Sequence, residues 1–414
     1  MNAPTIVIGA GIIGLSIAAT LRKRGAPVLL LDAGAVCGGA SWGNAGHIAT
    51  EQVYPVADPS LLKKLPAMLL NPLGPLRLDW RYLPKLLPWA WHAVLNMRPQ
   101  HFQKNHQALL ALNSRCLADW QQFAREWRLA PWLQIQGSLL VCEQDATADA
   151  LQKHGRTLNA LGVENQWLSA EALHEREPGL AANQSGGLFY PHTGHIVNLD
   201  ALTQTLKTAF TGMGGRLQEY CTVYQAHINA DGGLTLLTGQ GMMQAAKVVL
   251  AAGAFSKTLA QQLTGINVPL DTERGYHLML PAEQGRLKIP VSSADRRFIM
   301  TPMTNGLRLA GTVEYAGLRA PPNMARARKL LPLAEGMLAQ PLDADGASEW
   351  MGCRPTTADS LPVIDRSGNV LLAFGHQHLG LTQAATTAAA IAALYFDEPP
   401  PHDLRPFRLN RFAG

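Results

Sequence analysis

Cysteine is sparse and scattered. The 414 residues hold five, Cys37, Cys116, Cys142, Cys221 and Cys353, with no CxxC among them and an odd total. That argues against a disulfide framework or a zinc site and reads as reduced thiols in a cytosolic compartment. No other metal motif stands out, so no metal is expected. No apolar run is long enough to span a bilayer, and no basic leader precedes the apolar N-terminal stretch, so neither a membrane span nor a secretory signal is expected. Charged residues make up only 16%, with a mild excess of +5. So diffuse an excess suits an anionic cofactor or substrate, or weak attraction to anionic lipid. Without any base-reading motif it argues against a nucleic-acid partner.

What is present is an ordinary globular composition, 47% hydrophobic, in a chain too long for one simple core. Two domains are therefore expected. The first fifty residues carry the clearest chemistry. The apolar run Thr5–Ile8 enters a turn with Gly9, Gly11 and Gly14, a helical stretch leaves it, and a second apolar run, Val28–Leu31, ends in Asp32. This order is a dinucleotide fingerprint. Gly9 permits the tight turn, Gly11 lets backbone approach a pyrophosphate, and Gly14 lets the helix pack on the strand. The helix start at Ile12 and Ile13 offers N–H groups and partial positive charge to phosphates. Asp32, followed by Ala33, stands where a ribose hydroxyl is accepted.

Further along, residues 54–98 are rich in Pro, Leu and Trp, with Lys63, Lys64, Arg77, Arg81 and Lys85 interleaved, and read as short helices broken at prolines. His106–Trp127 has amphipathic helical spacing. Strands are expected at 137–142, as a pair around Thr193-Gly194, at 247–250, alternating through 266–315, and at 370–374. Helices are expected at 146–161, 199–213, 325–337, and from the turn at 375–380 to about Phe396.

Glycine-rich turns follow strands in two more distant places, at Ala252-Gly253 and at Gly375-His376-Gln377-His378-Leu379-Gly380. A long cofactor crossing several turns fits FAD better than NAD. These stretches, VIGAGIIGLSIA, GGASWGNAGHI, KLPAMLLNPLGPLRLDWRYLPKLLPW, VVLAAGAFS, RGYH, GTVEYAG, GCRPTTADSLPVI and GHQHLGLT, carry a resemblance over essentially the whole chain. The sequence resembles FAD-dependent oxidoreductases of the D-amino-acid oxidase family. Within that family it looks most like the bacterial D-amino-acid dehydrogenases of the small-subunit type and the related D-hydroxyproline dehydrogenases.

The resemblance implies an α/β fold, with a Rossmann-like FAD-binding domain interleaved with a substrate domain built on a mainly antiparallel sheet with helices. The FAD-binding part is expected at 1–52, 144–165, 190–262 and 350–414. The substrate part is expected at 53–143, 166–189 and 263–349, with 54–98 as a helical insertion. Gly38, Gly39, Ala40, Ser41, Asn44, Ala45, Gly46, His47 and Ile48 would line the pyrophosphate and flavin, and Val223 would meet the adenine through its backbone. Leu379, Gly380, Leu381 and Thr382 would bring a helix start against the flavin's pyrimidine end.

For chemistry, the resemblance aligns Arg354 with the family's carboxylate-binding arginine at the flavin, and a planar guanidinium is the best clamp for two oxygens. Tyr276 is the next candidate. Strand alternation sets it opposite His277, and Tyr276 is taken as the one facing the flavin. His47 and His378 are candidates for contacts to the substrate amine or side chain, and His376 reads as structural. The stretch Ser292–Arg297 lacks a tyrosine found in some relatives, which leaves Arg296 or Tyr276 as a second carboxylate contact. Asp295 or Glu314 would attract a cationic side chain, or serve as solvated turn residues.

The implied reaction is hydride transfer from Cα of a D-amino acid to FAD, with electrons leaving to a quinone or other redox carrier. The alternatives are an oxidase using O₂, a dehydrogenase of a cyclic amine such as D-proline or D-hydroxyproline, and a non-catalytic flavin-binding subunit. Residues 54–98 read either as a lid or membrane-surface patch giving access to a quinone, or as a packed insertion. The expected location is cytoplasmic, with peripheral attachment to the inner membrane under the first reading.

Overall fold

The computed structural model describes residues 3–59, 74 and 76–413. The N-terminal strand Thr5–Ile8 and its neighbour Val28–Leu31 are buried at every position, as a parallel sheet covered on both faces requires. They belong to a six-stranded sheet in the order Arg216–Gln218, Val28–Leu31, Thr5–Ile8, Lys247–Leu250, Val370–Phe374, Val363–Ser367. The first five run parallel and the last is antiparallel.

Alternation splits this sheet's side chains between two cores. Val7, Leu30, Val249 and Leu371 pack with the helices Ile12–Lys23, Pro99–Trp127, Leu199–Gly212 and Ala384–Tyr395. Ile6, Leu29, Val248 and Leu372 pack with helix Ser256–Thr264 and a three-stranded antiparallel sheet, Val223–Ile228, Leu234–Thr238 and Gly241–Ala245. Leu15, Ile17 and Leu21 on the first helix are completely buried, each contributing about 1.5–3 kcal/mol. The last helix is mostly alanine, and its small side chains allow a close approach to the first.

A second, mainly antiparallel sheet builds the other half of the molecule. Its path is Ser348–Thr357, Leu270–Leu280, Gly306–Tyr315, Phe298–Met303, Val291–Ser293, Ser138–Cys142, Gly186–Tyr190, Gln166–Ser169, with Leu76–Leu78 added beside Gly306–Tyr315. Leu270–Leu280 is buried throughout. It pairs with both Ser348–Thr357 and Gly306–Tyr315, so the sheet delivers side chains from three strands to one place.

Several expectations shift. The expected strand pair around Thr193-Gly194 separates. Gly186–Tyr190 joins the large sheet, while Gly194–Ile196 joins a small sheet with His47–Ile48 and Leu133–Gln134. Strand Ser348–Thr357 lies in the large sheet, so the expected boundary at 350 moves to its end. Helix Asp145–Ala160 packs on strands of the large sheet, so 144–165 belongs there and not with the nucleotide half. Helix Pro99–Trp127 does the reverse, because its buried stripe Leu109, Leu112, Trp120 and Phe123 packs with the nucleotide-side helices. The expected helix 325–337 is two short pieces, Ala325–Arg328 and Leu330–Ala334.

Lys63, Lys64, Pro66 and Pro72 lie outside the described residues. Leu83–Asn96 is one helix that runs through Pro88, at the cost of the hydrogen bond that proline cannot donate. Its inner side, Leu86, Trp89 and Ala93, meets the protein. Its outer side leaves Leu87, Trp91 and Val94 exposed.

Candidate active site

The three expected turns converge. Gly9, Gly253 and Gly375 follow strands that are neighbours in the parallel sheet, and all three have positive φ, at 101°, 55° and 83°. The carboxyl edge of such a sheet is where a nucleotide binds. Space is the first test of whether FAD fits. A Cβ on Gly9 would stand 2.4 Å from the Ala251 carbonyl oxygen, and one on Gly14 only 1.8 Å from that of Gly9. Both positions therefore exclude any larger residue, and the turn keeps its bare backbone.

The first helix carries no acidic residue in its first turn and no capping side chain on Gly11, which suits an anion at its start. Ser41 Oγ accepts from the Ile12 N–H at 2.9 Å, so this hydroxyl already serves the helix start. Asp32 accepts from Ala10 N at 2.6 Å and Gly34 N at 2.8 Å. It thereby braces the glycine turn, and each oxygen keeps a further lone pair for a ribose. The Cys221 N–H donates to the Asp32 carbonyl at 2.7 Å, which brings the start of strand Val223–Ile228 alongside.

The loop between the nucleotide turn and the small sheet is pinned from several sides. Asn44 closes it on itself, donating to Ser41 O and accepting from Gly46 N, each at 2.6 Å. Arg308 donates to Asn44 O at 2.7 Å, and the His277 ring bonds Gly43 O at 2.9 Å. Trp350 stacks on His277 with centroids 5.0 Å apart and fits only because Gly43 and Gly352 lack Cβ atoms, which would meet its ring at 2.1 and 2.0 Å. Burial, then the Arg308 charge, pushes the His277 pKa down to about 3. Beyond the loop, the Ala49 N–H donates to Thr382 Oγ1 at 2.9 Å, tying it to the turn before the last helix. In that turn Gln377 has φ 53°, and its buried amide nitrogen has no partner. An orphaned donor there is what an absent cofactor would leave.

Arg354 stands beside this edge. Its strand reaches the third turn through a bridge between Thr356 and His376. Across the strand pair it faces Glu273, and its guanidinium lies over Gly275, where a Cβ would come within 2.3 Å of a terminal nitrogen. Among the described residues no hydrogen bond or ion pair reaches that guanidinium. Burial lowers its pKa, and Glu273 and then Tyr315 oppose the shift. A half-buried, unpaired fork in the interior can take a carboxylate in bidentate fashion.

The FAD dependent oxidoreductase (DAO) family model matches residues 5–394. The chain belongs to this family. It is 32% identical over 98% of both chains to a "D-amino-acid oxidase" of Bradyrhizobium diazoefficiens, and 28% identical over 99% of both to a "D-amino acid dehydrogenase" of Paramagnetospirillum magneticum. Among solved structures it resembles glycine oxidase from Geobacillus kaustophilus, with a TM-score of 0.77, 22% identity and full coverage of both chains. The fold is thus that of the DAO flavoenzymes, FAD is the cofactor, and the residues above fit it. FAD would be held by the Gly9, Gly11 and Gly14 turn, Asp32, the 39–48 loop and the turns at Gly253 and Gly375.

Within this DAO-family site the other candidates divide. His378 is solvent-exposed and bonds Gln52 Oε1 through Nε2 at 3.1 Å. Although part of its surface reaches solvent, the protein packed around it and then the charge of Arg354 lower its pKa, with Glu51 opposing. His47 Nε2 lies 3.1 Å from Glu51 Oε1, and its buried Nδ1 has no partner. Arg354, His378, Glu51 and His47 thus form one neighbourhood. His376 bonds Thr387 at 3.0 Å and is buried, a structural contact.

Tyr276 does not join them. Glu273, Gly275 and His277 share the Arg354 side of their strand through their pairing with Arg354, Gly352 and Trp350. Tyr276 points to the opposite side, donating to Glu314 at 2.5 Å and accepting from Asn323 N at 3.2 Å. The expected place of Tyr276 beside the clamp is therefore corrected: it lies on the strand face away from Arg354, and His277 is the one on the Arg354 face.

Arg296 is corrected too, because its guanidinium is consumed by Glu143 and by the carbonyls of Leu333 and Glu335. Asp295 accepts from Glu143 N and the Thr147 hydroxyl, and Glu314 is held by Tyr276, so neither awaits a ligand. All five cysteines are free thiols. Burial pushes the thiols of Cys37 and Cys116 to about 12 and that of Cys142 to about 11, and raises that of Cys353.

Sequence reasoning missed Gly275, Glu273 and Tyr315. The Tyr315 hydroxyl donates to Glu273 Oε1 at 2.6 Å, and Trp89 packs against the Tyr315 ring at 5.4 Å while donating to the Thr356 carbonyl at 2.9 Å. Helix Leu83–Asn96 therefore roofs the clamp. A glycine inside a strand signals a close approach, and Gly275 carried that signal.

Proposed function

We propose that the protein oxidises D-amino acids at Cα with its FAD and passes the electrons to a quinone or other non-oxygen carrier. The carrying observation is the unpaired Arg354 guanidinium beside the glycine turns. The names of relatives aligned over nearly the whole chain support the D-amino acid.

In this reading Arg354 receives the substrate carboxylate through two charge-assisted hydrogen bonds. The ammonium sheds one proton before oxidation, and His47 and His378 are the nearby groups suited to the resulting neutral amine. Bound FAD supplies the hydride acceptor. The clamp fixes Cα against it, and the imino acid that leaves hydrolyses to a 2-oxo acid and ammonium. Arg354→Ala should raise KM strongly or abolish flavin reduction under anaerobic mixing, with FAD still bound. Unchanged substrate kinetics in that variant would remove the assignment.

The acceptor has a second reading. The relative at 32% identity is named an oxidase, so O₂ is the competing acceptor, and peroxide yield measured against dye-coupled activity separates the two. Support for a membrane-borne carrier comes from helix Leu83–Asn96. Leu87, Trp91 and Val94 share its exposed side, and residues 80–118 contain Arg81, Lys85, Arg98, Lys104 and Arg115 with no Asp or Glu. An apolar helix face in an acid-free basic stretch suits an anionic lipid interface. No helix among the described residues is long and apolar enough to cross a membrane.

A further inference from the structure

Glu273 is a carboxyl group that the proposed chemistry does not use. It is 2% exposed, it lies directly across the strand pair from Arg354, and it accepts from the Tyr315 hydroxyl at 2.6 Å. The titratable and charged groups facing it are few. Arg354 comes from Ser348–Thr357, Tyr315 from Gly306–Tyr315, and Asp271 from its own strand. Asp271 is in turn held by the Tyr82 hydroxyl at 2.9 Å and by the Thr272 N–H at 2.7 Å. Arg354 is thus the one cation in this set, and it has no direct partner. Burial, with the Asp271 charge, already disfavours the ionised form of Glu273, while the Tyr315 hydroxyl, the Arg354 charge and the Thr356 hydroxyl oppose that.

A substrate carboxylate docking on Arg354 brings a second anion to the same guanidinium. Two carboxylates sharing one buried cation do not both stay ionised, because the cation's charge is divided and the desolvation of each remains. We infer that Glu273 takes up a proton when a carboxylate docks on Arg354, so that the clamp binds an anion together with a proton. Glu273 and its donor Tyr315 are then positioning residues. They balance the guanidinium's charge when the site is vacant, and step out of competition when the ligand arrives. This rests on Arg354 being the clamp, and the test separates the two claims.

The probe is benzoate, a carboxylate without an amine, since an ammonium group would release a proton of its own. Holoenzyme is titrated with benzoate from about pH 5 to 9. Binding is read from the flavin absorption, and protons taken up per ligand are read from the heats in two buffers of different ionisation enthalpy. Where Glu273 is ionised in the free protein and neutral in the complex, uptake approaches one proton and Kd rises about tenfold per pH unit. Glu273→Gln should bind benzoate with no uptake and a pH-independent Kd. Tyr315→Phe removes the donor that favours the carboxylate, so the window should move to higher pH, a readout that survives if Glu273→Gln fails to fold. If Arg354→Ala abolishes binding but the unaltered protein takes up no proton, the coupling is overturned and the clamp stands. The coupling is equally overturned if uptake persists in Glu273→Gln or the window stays put in Tyr315→Phe. Undiminished benzoate binding in Arg354→Ala overturns the clamp itself, and the coupling with it.

Discussion

Gly275→Ala is the sharpest perturbation of the clamp, because it adds one methyl group and alters no charge. The new Cβ would lie 2.3, 2.4 and 2.8 Å from Nη2, Cζ and Nε of Arg354. An ordinary contact needs about 3.5 Å, so the guanidinium must retreat by about 1.2 Å from its place in the structure. Nothing else obstructs the methyl group so closely, and the atoms in its way end a flexible side chain, so the fold should yield little. Gly275 also does not have positive φ, so alanine enters without backbone strain. The loss therefore falls on substrate geometry. A charged hydrogen bond is worth about 1.5–3 kcal/mol, which for one arm of the fork is about a 10- to 150-fold fall in kcat/KM, mostly through KM. The assay is dye-coupled oxidation of a D-amino acid alongside a thermal melt. A variant with normal KM and normal Tm would refute the placement of Arg354 over Gly275 as the substrate clamp.

Gly14→Ala should force the first helix off the glycine turn, since its Cβ would lie 1.8 Å from a backbone oxygen. The expected result is a colourless, less stable protein, and a yellow protein with unchanged Tm would contradict it. His376 is buried with its pKa pushed down by burial to about 3. Its neutral form stabilises the fold fully above the free value near 6.5, and that contribution is lost as pH falls below it, at about 1.4 kcal/mol per pH unit. His376→Asn should therefore narrow the stability gap between about pH 7.5 and 5.5 by about 1.4 kcal/mol, as read by denaturant unfolding at the two pH values, and an unchanged gap would refute this. Trp91, 64% exposed, can be replaced by Glu without loss of dye-coupled activity. Co-sedimentation with anionic vesicles should disappear in that variant, and retained binding would remove the lipid face from helix Leu83–Asn96.

The nucleotide turn was legible because its signal is local. Strand, turn, helix, strand and Asp32 follow one another within about thirty residues, and each glycine has a steric reason that one strand and one helix suffice to create. The convergence of the Gly253 and Gly375 turns was legible as a repeated pattern, and the sheet order then places them side by side. The clamp region was legible only in part. Alternation predicted that Tyr276 and His277 diverge, but which of them shares the Arg354 face is set by pairing with a strand about eighty residues away and by an irregularity between Gly275 and Tyr276. The Glu273–Tyr315 bond is likewise a product of register between distant strands. Arg296 misled because a guanidinium in a sequence carries no sign of the Glu143 that occupies it. The domain boundaries failed where packing outranks order along the chain, as when helix Pro99–Trp127 turns its buried stripe toward the nucleotide half.

The parallel sheet takes its strands from both ends of the chain, and this constrains how the protein is made. Thr5–Ile8 meets Val28–Leu31 early, but its other neighbour is Lys247–Leu250, and the strand after that is Val370–Phe374. A ribosome adds about 5–20 residues per second, so one edge of the first strand stays open for roughly 10–50 s of synthesis before Lys247–Leu250 exists. An open, fully apolar edge is an aggregation hazard, so the emerging chain needs shelter for that interval. For the same reason no contiguous piece of the chain short of about residue 374 contains a whole nucleotide sheet. The cofactor site can form only after Val370–Phe374 has left the ribosome.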